Sequence, residues 1–205
     1  MEKINYQKKL DELLSKLEGE PTLLLQCCCA PCSSYCIEYL SDYFHITVLF
    51  YNPNIYPEEE YIHRKDELKR LIGEMKTKYP VKMLDCDFES DKFYQMAKGM
   101  EKLKEGGERC FGCYRLRLEK TAGEAKKNNF DYFTTTLTIS PLKNAQKINE
   151  IGKELENQYG VKFLPSDFKK RNGFKRSIEL SHQYDLYRQN YCGCVFSRRT
   201  ETKED

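Results

Sequence analysis

The stretch Thr22–Cys36, TLLLQCCCAPCSSYC, decides how this chain reads. Its first half is a short apolar run, Leu23–Leu25, suited to a strand buried on both faces. Its second half places five cysteines between Cys27 and Cys36. Pro31 and Ser33 can then open a helix over Ser34–Leu40. In an α/β protein the loop after the first strand is often a glycine-built phosphate cradle. Here thiols occupy that place.

Outward from this stretch, strands alternate with helices. A helix over Leu10–Leu17 precedes it. His45–Tyr51 (HITVLFY) predicts a second strand, broken by Asn52–Pro57, and Glu58–Tyr79 a long helix. Val81–Asp87 is a third strand, and Lys92–Glu105 a helix ended by Gly106–Gly107. Leu116–Asn129 is helical, Tyr132–Thr138 a fourth strand, and Pro141 opens a helix running to about Tyr159. Val161–Leu164 is a fifth strand and Arg176–His182 a last helix. The pattern predicts a single α/β domain over residues 1–205, with a mostly parallel sheet flanked by helices and cysteine-rich metal-binding loops. Residues 1–20 form its N-terminal helix and 200–205 a frayed polar tail. Ligands in such sheets sit at the carboxyl ends of the strands. The cysteine loop after strand one, Thr138–Pro141 after strand four and Asp167 after strand five can therefore share one rim.

Composition narrows the chemistry. Lysine plus arginine number 34 and aspartate plus glutamate 32, so no global charge excess marks a polyanion partner. Met1–Gly19 is charged and amphipathic, unlike a secretory leader, and no apolar run reaches the ~18 residues of a membrane span. A cytoplasmic protein with no membrane partner is expected, in a compartment where thiols stay reduced. Ten cysteines there point to metal or redox chemistry rather than to a disulfide framework. Isolated Cys86 reads as a packed residue.

The clustered cysteines fall in three groups: Cys27-Cys28-Cys29-Ala-Pro-Cys32, Cys110-Phe-Gly-Cys113 and Cys192-Gly-Cys194. A structural zinc takes four ligands, which Cys29/Cys32 with Cys110/Cys113 would satisfy; an iron–sulfur cubane also takes four thiolates. Either leaves thiols over. The surplus suggests a second metal beside the first, or a redox dithiol at Cys192 and Cys194. His45, His63 and His182 are scattered, and neither a GxGxxG nor a Walker motif occurs. Basic residues concentrate late, at Lys169, Lys170, Arg171, Lys175 and Arg176, interleaved with Phe168 and Phe174 and followed by Arg198 and Arg199. That composition suits an RNA contact.

Six segments together resemble the cobalamin-independent epoxyqueuosine reductases, which complete the queuosine modification of tRNA. They are LLLQCCCAPCSSY, VLFYNPNIYPEEEYIHR, GGERCFGCYRLRLEKTA, DYFTTTLTISPLKNAQKINEIG, FLPSDFKKRNGFKRSIELS and DLYRQNYCGCVFSRR, in order from Leu23 to Arg199. The resemblance implies a HUP-type, Rossmann-like fold whose phosphate loop has become a metal site. It also implies an iron–sulfur cluster with a second redox element. Cys28, Cys29, Cys32, Cys110, Cys113, Cys192 and Cys194 match the family pattern; Cys27, Cys36 and Cys86 lie outside it. Relatives tend to carry His-Ser where this chain has Gln26-Cys27, so the role of Cys27 stays open.

On that basis a [4Fe–4S] cluster is assigned to Cys28, Cys29, Cys110 and Cys113. Cys32, Cys192 and Cys194 remain as a redox dithiol (Cys192–Cys194) or as ligands to a mononuclear iron. Asp167 is the candidate oxygen ligand or proton donor, and Tyr191 a second proton donor. Lys169, Lys170, Arg171, Lys175, Arg176, Arg198 and Arg199 are the candidates for gripping the tRNA anticodon loop, and an external electron donor is required. Two other readings stay open: a zinc-stabilised RNA-binding module without redox activity, and a tRNA sulfur-transfer enzyme. The second should carry a glycine-rich pyrophosphate loop where CCCAPC stands.

Overall fold

In the computed structural model, which describes residues 4–197, five strands form one parallel sheet. The strands are β1 (Thr22–Gln26), β2 (His45–Leu49), β3 (Lys82–Leu84), β4 (Tyr132–Thr135) and β5 (Lys162–Phe163), in the spatial order β3-β2-β1-β4-β5. Every neighbouring pair runs parallel. β1 is the centre, and the chain reverses its winding between β1 and β4, which creates a crevice at their carboxyl ends.

The middle of β1, Leu23–Leu25, is apolar throughout because it is covered on both faces. Leu23 and Leu25 pack into a core with helices α1 (Tyr6–Leu14), α2 (Ala30–Leu40) and α3 (Glu58–Glu74). Leu24 faces the opposite core, closed by α5 (Glu108–Lys127) and α6 (Ala145–Tyr159). In sequence α4 (Ser90–Ala97) lies between β3 and α5, and α7 (Gly173–Gln183) packs on α2. No helix among the described residues is long and apolar enough to cross a membrane.

Several expected boundaries shift, each for a local reason. α2 begins at Ala30, with Cys29 at its cap position and Pro31 in its first turn, so Cys32 is helical. α5 begins at Glu108, so the Cys110–Cys113 pair rides on one helical face rather than in a turn. α4 stops at Ala97 instead of reaching Glu105. Gly99 follows at φ +81, and the carbonyls of Met100, Glu101 and Leu103 accept bonds from Arg109 Nη1 at 2.6–2.9 Å. β4 ends at Thr135, whose hydroxyl accepts from the Leu137 N–H and caps a short 3₁₀ helix, Thr136–Ile139. Pro141 does not open α6. Asn144 caps that helix by accepting from the Lys147 N–H at 3.0 Å.

A buried polar network ties the strand ends together. Thr135 Oγ1 donates to Gln26 Oε1 at 2.7 Å. Gln26 Nε2 donates to the carbonyls of Cys27 and Tyr51 and to Asn52 Oδ1 at 3.1–3.2 Å. Asn52 Nδ2 donates to the Cys27 carbonyl at 2.8 Å. The loop that carries the first thiols is thus held by the ends of β4 and β2 and by the chain leaving β2.

Candidate metal centre

The thiols of Cys28, Cys29 and Cys32 converge where β1 turns into α2, with their sulfurs within 4.8 Å of one another. Neighbouring side chains usually diverge, yet Cys28 Sγ and Cys29 Sγ lie 3.7 Å apart. Extended backbone at Cys29 (φ −173, ψ 163) before the first turn of α2 produces that approach. The positive end of α2 faces the group, an arrangement that favours thiolate. Hydrogen bonds from the Cys29 and Cys32 thiols hold Cys28 well below the ordinary thiol range against the effect of burial, and Arg117 and Lys143 add to this. Donating to Cys28 pushes Cys29 up to about 12 and Cys32 well above its usual value. A metal bound by all three sulfurs must displace the thiol protons they carry.

Cys27 points elsewhere. It is fully buried among Ala30, Cys36 and Ile37, and burial keeps its thiol well above the ordinary range. Cys36 is buried in the same core, and Cys86 Sγ donates to the Phe50 carbonyl at 3.2 Å.

The other two cysteine groups meet at a second, smaller cavity. Cys110, Cys113, Cys192 and Cys194 line one small cavity together with Arg117 and Lys143. The Cys110 sulfur accepts from the Gly106 N–H at 3.2 Å. Tyr56 N–H donates to the Gly193 carbonyl at 2.9 Å, and Ile55 pairs with Cys194, which fixes the Cys192–Cys194 turn. Gly193 sits at φ +99, where a Cβ would stand 2.9 Å from Ile55 Cγ1, so glycine is required between these two cysteines. Burial would raise the Cys192 thiol, but Lys143 and Arg117 override it and hold Cys192 below its ordinary value. Burial pushes Cys194 up to about 11.

A cavity of about 190 Å³ joins the groups, lined among others by Cys28, Cys32, Arg117, Lys143, Tyr191 and Cys192. Cys192, Arg117 and Lys143 line both cavities. Arg117 is 2% exposed and reaches Cys113 Sγ at 3.3 Å and Asn52 Oδ1 at 3.2 Å, while its Nε has no partner among the described residues. Burial would lower its pKa, and the sulfurs of Cys113, Cys192 and Cys28 more than reverse that. A buried guanidinium facing sulfur instead of carboxylate, beside converging soft donors, fits a resident thiolate-bound metal.

The family profile "Epoxyqueuosine reductase QueH" matches residues 23–200. The chain belongs to the QueH family. It is 46% identical over 203 residues to the Epoxyqueuosine reductase QueH of Staphylococcus epidermidis, covering 96% of this chain and 85% of that one. It is 43% identical to the QueH of Streptococcus pyogenes, with 98% and 80% covered. The QueH of Thermotoga maritima is 38% identical, with 86% and 90% covered.

The other residues expected at the site fall in different places. Tyr191 lines the larger cavity, with its hydroxyl donating to the Tyr56 carbonyl at 2.8 Å and Arg64 over its ring. Asp167 follows β5 but lines neither cavity, and its carboxylate is paired with Lys169. Arg171 pairs with Asp11 at 2.5 Å, and Arg176 forks onto Glu38 at 2.8 and 3.0 Å. Lys170 and Lys175 are exposed and make no ion pair among the described residues. Arg198 and Arg199 lie outside the described residues. Sequence reasoning missed Arg117 and Lys143 altogether. The one available signal was the spacing of Arg117 four residues after Cys113, which puts both on one face of α5.

Proposed function

We propose that this protein reduces the epoxide of epoxyqueuosine in tRNA to the alkene of queuosine. The observation that carries the reading is the convergence of Cys28, Cys29 and Cys32 at the end of β1, on the same cavity as Cys192. The reaction breaks both epoxide C–O bonds, releases the oxygen as water, and consumes two electrons and two protons. A low-potential one-electron donor must supply the electrons in sequence.

Cys28, Cys29, Cys110 and Cys113 would hold a [4Fe–4S] cluster. Cys32, Cys192 and Cys194 remain for a neighbouring iron or, for the last two, a redox dithiol. When bound, such centres deliver single electrons and Lewis acidity toward the epoxide oxygen. Asp167 can join as an oxygen ligand only when its carboxylate leaves Lys169. The cavity is smaller than the roughly 300–1,000 Å³ of ordinary ligand pockets. It takes a ring substituent and leaves base and sugar outside. Tyr191 forms one wall, and its hydroxyl can pass a proton to the departing oxygen once it leaves the Tyr56 carbonyl. The anticodon loop then lies over the rim, where single-stranded bases can be splayed. Lys170 and Lys175 form no ion pair among the described residues and can grip that loop, with Lys169, Arg171 and Arg176 beside them in sequence and Arg198 and Arg199 further on.

The test is conversion of epoxyqueuosine-containing tRNA by the iron-loaded protein with dithionite, followed by mass analysis of the nucleosides. Queuosine should form, and Cys192→Ser should abolish it. Full activity of Cys192→Ser would rule out both roles given to that thiol.

A further inference from the structure

Five cationic side chains line the two cavities. Arg188 is exposed and donates to Ser181 Oγ at 3.2 Å, and two others have ordinary structural partners. Arg64 is paired with Glu60 at 2.7 Å, and Arg109 donates from Nη1 to three backbone carbonyls, although its Nε has no partner among the described residues. Arg117 and Lys143 differ. Neither forms an ion pair among the described residues, and each points at sulfur: Arg117 Nη2 at Cys113 Sγ, 3.3 Å, and Lys143 Nζ at Cys192 Sγ, 3.6 Å. Both line the larger and the smaller cavity. The only carboxylate lining the larger cavity among the described residues is Glu105, which is exposed.

A buried cation such as Arg117, and a half-buried one such as Lys143, is costly without a carboxylate unless another anion comes to it. A cubane held by four thiolates is such an anion, and each electron it accepts deepens its negative charge. Away from bulk water, a fixed cation nearby offsets that charge far more than it would in solution. Net charge and hydrogen bonds to sulfur are among the factors that set cluster potentials.

We propose that Lys143 and Arg117 are the counter-charges that make this centre reducible, raising its potential toward that of the electron donor. They are positioning residues: Arg117 acts through the sulfur of Cys113, one of the four assigned cluster ligands, and Lys143 acts from beside Cys192, which lines the same cavities. The inference rests on the iron–sulfur reading and adds to it an assignment for two side chains.

The test is a redox titration of the full-length, iron-loaded protein followed by electron paramagnetic resonance. In Lys143→Gln, the ratio of reduced to oxidised cluster at a fixed potential should fall roughly tenfold, a midpoint about 59 mV lower for a one-electron couple. Lys143→Arg keeps the charge and should stay within about twofold of the wild type, which a purely packing role would not predict. Asn190→Lys adds a cation to the wall of the larger cavity and should move the midpoint upward. It reads the proposal even if the glutamine variant holds no iron. An unchanged midpoint in Lys143→Gln, or in Asn190→Lys, would overturn the proposal while leaving the iron–sulfur reading intact. A wild type that takes up no iron would overturn that reading first.

Discussion

Replacing Asn52 by alanine should cost this fold about 3–4 kcal/mol, because one amide holds two halves of the site. Asn52 is 1% exposed. It donates to the Cys27 carbonyl at 2.8 Å, accepts from Gln26 Nε2 at 3.2 Å, and accepts from Arg117 Nη1 at 3.2 Å. Alanine removes all three bonds. The bond from the guanidinium is the largest loss, about 1.5–3 kcal/mol for a charged group left with a bare buried donor. The neutral bond to Cys27 adds ~1 kcal/mol. Gln26 loses less, since its amide still reaches the Cys27 and Tyr51 carbonyls. Against a total stability of roughly 5–15 kcal/mol the loss is large. At roughly 2–4 °C per kcal/mol for a chain of this size, the midpoint should fall by about 6–16 °C. Thermal and urea unfolding of the metal-free full-length protein, wild type beside Asn52→Ala, measures it. A loss below ~1 kcal/mol would refute the idea that this network braces the cysteine loop.

Two further outcomes can be checked on the same protein. Asp131 accepts from the Thr22 N–H and Thr22 Oγ1, both at 2.8 Å, and these bonds hold its carboxyl below the usual range. A depressed folded pKa gives stability that is present above the unfolded value near 3.9 and is lost as pH falls through the folded one. Asp131→Asn should therefore destabilise by ~1 kcal/mol at pH 7, little because the site is exposed, and the difference should shrink below about pH 4 in urea titrations. Lys170→Ala/Lys175→Ala should weaken tRNA binding and flatten the plot of log affinity against log salt by about 1–2, two phosphate contacts' worth, as read by filter binding across a salt series.

What the sequence made legible follows from burial. The apolar run Leu23–Leu25 and the β-branched runs at His45 and Tyr132 become strands because a doubly covered parallel sheet demands them. The rim position of Cys28, Cys29 and Cys32 was equally open to reading, since they directly follow β1. Boundaries set by single side chains were not. Thr135 ends β4 by capping the turn after it, and Arg109 holds the segment after α4 through backbone carbonyls that no pattern reveals. Charged residues were the hardest to place. Arg171 and Arg176 look like nucleic-acid contacts in the sequence but spend their charge on Asp11 and Glu38. Arg117 looks like surface and lies buried against Cys113. Lys143 carries no sequence signal, because its partner Cys192 is 49 positions away.

The most direct test of the central claim is the iron and acid-labile sulfide content of anaerobically prepared protein, taken with its absorption spectrum. A brown protein is expected, absorbing broadly near roughly 400 nm, with about four sulfides and about four irons per chain, and more than about four irons if a mononuclear iron sits beside the cubane. A colourless protein carrying a single zinc would contradict that claim.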